Sequence, residues 1–177
     1  MQDCRDLLSA REMIRTLERL AYEVLERHGE CQNLVLLGIQ RRGVDLAKRL
    51  KRLLDERLGR GVPMGSLDIN LYRDDWTTLE LQPLISHTEI PFAIDDQAVL
   101  LVDDVLFTGR TIRAALEAIL DFGRPSRVEL LVLVDRGHRE LPIHADYVGK
   151  TVATQRGEHV NVYIRERDGK DKVCLVA

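Results

Sequence analysis

The longest uninterrupted apolar runs in this 177-residue chain, among them Ala98 to Val102 and Leu130 to Val134, are five residues, against the ~18 that a helix needs to cross a bilayer. No transmembrane helix is expected. Residues 1 to 12 hold Asp3, Arg5, Asp6, Arg11 and Glu12 and no apolar stretch, so a secretory leader is not expected either. Cysteine is scarce: three residues, at positions 4, 31 and 174, odd in number and widely spaced, with no C-x-x-C pair. They read as reduced thiols of a cytoplasmic protein, with neither a disulfide framework nor a zinc site. An excess of positive charge is lacking too, since 26 Lys and Arg stand against 29 Asp and Glu for a net charge of -3. This argues against a globally basic nucleic-acid coat, though not against a local basic patch. The sequence shows no internal repeat, low-complexity stretch or linker. It also shows no Ser-His-Asp arrangement, Walker segment or His-Cys cluster.

What is present is an apolar fraction of 45%, enough to fill the core of one domain spanning residues 1–177. Ser9 and Glu12 have the form of a capping box, and the apolar stripe Met13, Ile14, Leu17, Leu20, Ala21, Val24, Leu25 predicts a helix over 9–28 stopped by Gly29. Leu34 to Leu37 reads as a strand buried on both faces and ending at Gly38. Leu46, Ala47, Leu50, Leu53, Leu54 and Leu58 then form a helical stripe closed by Gly59. A second strand alternates through Leu67, Ile69 and Leu71. The polar stretch from Tyr72 to Ile90, with the only tryptophan, Trp76, reads as a long flexible loop or hairpin. A third unit follows: a strand at 98–102, a turn at 103–109, a helix at 111–122 stopped by Gly123, and a strand at 128–134. Val160 to Ile164 and Val173 to Val176, separated by Asp168-Gly169, predict a closing C-terminal β-hairpin. The class is α/β, a central parallel sheet with helices on both faces and its site at the carboxyl ends of the strands.

The chemistry concentrates in Val99-Leu-Leu-Val-Asp-Asp-Val-Leu-Phe-Thr-Gly-Arg-Thr111. A bare Asp-Asp after a strand is commonly a helix entry with one carboxylate as cap. Here a Thr-Gly-Arg-Thr continuation leads into a helix, whose N-terminus offers unpaired N–H groups and a positive dipole end to a phosphate. Asp103 and Asp104 at the same mouth suit sugar hydroxyls, or magnesium held through water. A sugar phosphate fits both halves.

The segment resembles the phosphoribosyl pyrophosphate (PRPP) motif of type I phosphoribosyltransferases. Leu71 to Asp75, Val134 to Ile143 and Ala145 to Lys150 extend the likeness to the pyrimidine operon regulator family, also uracil phosphoribosyltransferases, over nearly the whole chain. The resemblance implies a transferase making UMP and pyrophosphate from uracil and PRPP with Mg2+. In it Asp103 and Asp104 serve the ribose hydroxyls, and Thr108, Gly109, Arg110 and Thr111 serve the 5′-phosphate. Gly38 to Gly43 becomes the pyrophosphate loop, with Arg41, Arg42 and Gly43 as its anion-facing residues and Arg41 foremost. Tyr72 and Arg73 open the flexible loop, and Arg136 with Val148 and Gly149 recognises the base. It also implies a homo-oligomer, and a regulator that binds pyrimidine operon leader mRNA in response to UMP. Arg19, Arg139 and Lys150 are retained for RNA, while Glu18, Tyr22 and His144 stand where the family has Thr, His and Arg. An added carboxylate repels RNA and a lost arginine removes a counterion-releasing contact, so RNA binding is expected to be weakened. The alternative is a UMP-responsive attenuator with vestigial transferase activity. A phosphate-sensing domain of the response-regulator type ranks last, because the fourth strand ends in Asp135-Arg136 rather than in lysine.

Overall fold

The computed structural model describes residues 4–74 and 87–177. Ser9 and Glu12 do form a reciprocal cap: the Ser9 hydroxyl accepts the Glu12 N–H at 3.3 Å, and the Glu12 carboxylate accepts the Ser9 N–H at 2.8 Å. Helix α1, Ala10–His28, starts there and stops at Gly29, whose φ is 54°. Strand β2 is Leu34–Ile39, and α2 is Arg42–Leu58. That helix begins four residues before its apolar stripe, because its first turn, Gly43 to Asp45, is already buried against the sheet.

Strands β3 (Met64–Leu67), β4 (Ala98–Leu106), β5 (Arg127–Asp135) and β6 (Tyr147–Thr151) join β2 in one parallel sheet of order β3-β2-β4-β5-β6. The apolar runs of the three central strands β2, β4 and β5 fill both faces by simple alternation. Leu34, Leu36, Leu100 and Val102 meet α1 and α2. Val35, Leu37, Val99 and Leu101 meet α3, Arg110–Leu120, through Ile112, Ala115 and Ile119. A second, antiparallel sheet is built from both ends of the chain in the order β1-β8-β7. It comprises β1 (Cys4–Ser9), β7 (His159–Tyr163) and β8 (Lys172–Val176), with the short helix α4 (Arg165–Asp168) between β7 and β8.

Four expectations change. The strand through Leu67, Ile69 and Leu71 ends at Leu67, because the Asp68 carboxylate captures the Asn70 N–H at 2.9 Å and turns the chain into a 3-10 turn at Asn70–Tyr72. Asp103 and Asp104 lie inside β4 rather than in a turn, since β5 supplies parallel partners as far as Leu106. The C-terminal hairpin is two strands of a three-stranded sheet whose third member comes from the N-terminus. The cysteines are not all reduced thiols: β1 pairs with β8 so that Cys4 and Cys174, 170 residues apart, form a disulfide at a Cα separation of 5.8 Å, and only Cys31 is free and buried. Sequence spacing hid this, because the two strands meet only in three dimensions. The loop expected over 72–90, Trp76 included, falls largely outside the described residues. Its far end returns to the sheet where Ser66 and Glu89 exchange N–H···O bonds of 2.9 Å. No helix among the described residues is long and apolar enough to cross a membrane.

Candidate active site

The carboxyl end of β4 carries the two aspartates. Asp103 is 7% exposed and its carboxylate accepts the Asp104 N–H at 2.9 Å, while Asp104 accepts the Val105 N–H at 2.8 Å. Burial, and after it the neighbouring Asp104 charge, hold the Asp103 carboxyl well above its ordinary pKa. Burial raises Asp104 as well, against the pull of the Val105 N–H and the Arg42 charge. Desolvated carboxylates at a strand end, with few protein donors, suit hydroxyls or cations brought by a ligand. Among the described residues no cluster of three or more His, Cys, Asp or Glu is placed to hold a metal ion by itself.

Beyond the pair, Phe107, Thr108 and Gly109 turn the chain into α3. Gly109 caps the helix at φ 93°, a conformation that disfavours any side chain, and a Cβ there would come within 3.3 Å of Ile143 and 3.5 Å of Leu141. The Thr108 hydroxyl accepts the Arg110 N–H at 3.3 Å, and the Thr108 carbonyl accepts from Glu140 at 2.9 Å and Leu141 at 3.2 Å. This braces the turn while Thr111 stands half-buried in the first turn of α3. The Arg110 side chain bonds Asp74 at 2.7 Å and Glu140 at 2.8 Å, so its guanidinium is held by two carboxylates.

Opposite lies the loop from β2 to α2. A Cβ on Gly38 would press within 2.8 Å of the Gly43 carbonyl, and one on Gly43 would collide with the Val102 carbonyl. Only glycine lets this loop sit directly against β4, beside the aspartates. The Gln40–Arg41 peptide is cis. Arg41 is exposed and its guanidinium has no partner among the described residues. Arg42 reaches Asp168, yet its Nε is buried without an acceptor among the described residues.

Arg136, first residue past β5, is 4% exposed. Its guanidinium lies 3.9 Å from the Phe107 ring centroid and donates to the Gln155 and Arg156 carbonyls at 3.0 and 3.3 Å, with Nε buried and without an acceptor among the described residues. It makes no pair with Asp135, which binds Arg139 instead. Val148 and Gly149 stand elsewhere, inside β6. Their carbonyls take the Arg19 guanidinium, and Gly149 lies close under Thr16 of α1. The wall beside Arg136 is formed by the segment after β6: the Thr154 hydroxyl donates to the Arg136 carbonyl at 3.1 Å, and the Thr154 carbonyl bonds His138 at 2.6 Å. Phe107 lies within the Val99 to Thr111 motif and Thr154 outside every motif, and neither carries a charge that would mark it in the sequence.

Tyr72 is turned along α3, its hydroxyl on Asp121 and its carbonyl accepting from Arg113 at 2.6 Å. Arg73 follows it, ahead of residues 75–86, which lie outside the described residues. Arg19, Lys150 and Arg139, which the resemblance assigns to RNA, are engaged internally. Arg19 also pairs with Glu23, Lys150 donates to the Leu7 carbonyl at 2.7 Å, and Arg139 donates to the Ile143 carbonyl at 2.9 Å and the Phe107 carbonyl at 2.7 Å. Glu18 is half-buried, and Tyr22 and His144 are exposed.

The phosphoribosyl transferase domain family matches residues 4–167. The bifunctional protein PyrR of Pelotomaculum thermopropionicum is 56% identical over 162 residues, covering 92% of this chain and 90% of that one. The chain belongs to the PyrR family of phosphoribosyltransferases. The PyrR proteins of Deinococcus radiodurans and Thermus aquaticus are each 53% identical, covering 96% of this chain and 92% and 94% of theirs. Among solved structures, a hypoxanthine phosphoribosyltransferase from Staphylococcus aureus superposes with a TM-score of 0.72 at 21% identity, covering 98% of this chain and 92% of that one. At that identity the likeness concerns the fold, and it places this PyrR chain on the type I phosphoribosyltransferase architecture.

Proposed function

We propose that this chain transfers the phosphoribosyl group of PRPP to uracil, giving UMP and pyrophosphate, and that its regulatory role is added to this activity rather than replacing it. One observation carries the reading: an aspartate pair, Asp103 buried and Asp104 half-buried, shares a mouth with a glycine-capped helix start, opposite a loop in which Arg41 is exposed and Arg42 Nε is buried without an acceptor among the described residues. In the reaction the bond from the anomeric carbon to the diphosphate breaks, a bond to uracil N1 forms, and the N1 proton leaves. Asp103 and Asp104 take the ribose hydroxyls and oppose the positive charge that grows on the ring, while Arg41 and Arg42 oppose the negative charge that grows on the departing diphosphate. The backbone of Thr108 to Thr111 holds the 5′-phosphate. Arg136, whose buried Nε has no acceptor among the described residues, offers a donor to a pyrimidine carbonyl. The oxygen donor set fits Mg2+ arriving with the diphosphate, with Asp103 and Asp104 as the carboxylates available to it; bound there, the ion would neutralise the leaving group.

The test is labelled uracil with PRPP and Mg2+, read for UMP and pyrophosphate, with hypoxanthine as the competing base. Absence of UMP formation, or preference for hypoxanthine, overturns the reading. For the second function, the resemblance supplies the partner, a UMP-dependent leader transcript, and the relatives' name supports two roles.

A further inference from the structure

The pyrophosphate loop is not held in place by its own element alone. α4, the single turn between β7 and β8, lies against it. Arg167 donates to the Asp45 carboxylate, which is 6% exposed, and a second nitrogen reaches the Arg41 carbonyl at 3.4 Å. Asp168 accepts from Arg42 Nη2 at 3.2 and 3.4 Å through its two oxygens, and is itself fixed by the Ile164 N–H at 2.7 Å. Both arginines of the loop therefore touch α4, Arg41 through its main chain and Arg42 through its side chain. The Arg42 guanidinium is anchored at one end, while its Nε is buried without an acceptor among the described residues.

The same short segment also docks on α2 at a point that does not involve the loop. Arg49 bonds Glu166 at 2.9 Å and Asp171 at 2.7 Å. Had α4 only to be attached, these bonds would serve. The additional contacts of Arg167 and Asp168 go to the residues that face the diphosphate.

We propose that Arg167 and Asp168 are positioning residues of the transferase, holding the Arg41–Arg42 loop in the conformation that receives the diphosphate of PRPP. Fixing a long guanidinium before the ligand arrives removes the ordering cost from the binding step. The inference rests on the phosphoribosyl-transfer reading above, so wild-type UMP formation is measured first and tests that reading separately. Asp168→Asn keeps an oxygen for the Ile164 N–H and removes the charge that orients Arg42. Expected for this variant, and for Arg167→Gln, are increases of about tenfold in KM for PRPP and in the inhibition constant of pyrophosphate. The KM for uracil, the Kd of UMP and kcat at saturating PRPP should change by less than about twofold. Asp171→Asn, which loosens the Arg49 contact, is the control: its melting temperature falls while the PRPP constants stay at wild-type values. The proposal is overturned if Asp168→Asn and Arg167→Gln leave the PRPP and pyrophosphate constants unchanged. It is equally overturned if they weaken PRPP and UMP alike, in proportion to a loss of melting temperature that Asp171→Asn reproduces.

Discussion

At the scale of single residues, the aspartate pair sets function against stability. Asp104→Asn should lower the rate of UMP formation tenfold or more with the fold intact, because in the proposed reaction the lost charge serves the ribose, and Asp104 is only half-buried. The stability effect follows from the raised pKa of Asp103, caused first by burial and then by the Asp104 charge. A carboxyl whose folded pKa lies above its unfolded value, about 3.9, binds its proton more tightly in the native state. Its contribution is therefore lost as the pH climbs from there through the folded pKa. Asp103→Asn, with no charge to desolvate, should gain in melting temperature over the wild type as the pH rises above about 3.9; an advantage independent of pH would contradict the assignment. Gly109 makes a different demand. With its φ at 93° and a Cβ falling 3.3 Å from Ile143, Gly109→Val must open the turn, and calorimetry should find PRPP and UMP both weakened by at least about tenfold.

Among elements, the long apolar runs were legible and the edges were not. α1, β2, α2, β5 and the core of β4 follow from capping, periodicity and burial on both faces, which are local properties. β6, with Gly149 and Lys150, and β1, with Arg5 and Asp6, carry too little apolar pattern to be recognised, because each is specified by its neighbours in space. The same reason explains the site. Asp103 to Thr111 is a contiguous motif and was readable, whereas Arg167 and Asp168 become relevant only when the hairpin packs on α2. A third polar feature ties α1, β5 and β6 together at the opposite end of the sheet from the aspartates. Glu129, 3% exposed, accepts from His28 at 2.8 Å and from the Tyr147 hydroxyl at 2.9 Å, with Arg27 at 3.3 Å and Arg127 at 3.1 Å. Burial works to raise its pKa, but the bonds from His28 and Tyr147 hold it below the ordinary value. Its stabilisation is thus present above the unfolded pKa, about 4.3, and is lost as the pH falls through the folded one. Glu129→Gln should cost about 2 kcal/mol at pH 7 and less toward pH 4 in denaturant titrations, with UMP formation unaffected.

Over the whole molecule, weaker RNA binding than the family resemblance suggests is the expectation. Arg19, Arg139 and Lys150 are engaged with carbonyls and carboxylates of their own chain, and Glu18 adds a negative charge to α1. A pyrimidine leader hairpin should bind the wild type weakly. Joint Glu18→Thr, Tyr22→His and His144→Arg replacement should tighten binding and steepen its salt dependence in filter titrations with UMP present; equal affinities and slopes would locate the RNA face elsewhere. The sheet formed from both ends of the chain bears on a different matter, the order in which the protein is made. β8 lies between β1 and β7, so β1 is made long before its partner, and Cys4 waits 170 residues for Cys174. Because α4 immediately precedes β8, the Arg41–Arg42 loop gains its contacts with Arg167 and Asp168 in the same late step. A nascent chain that has not yet made β8 lacks both the middle strand of this sheet and part of the core that β8 fills through Val173 and Leu175.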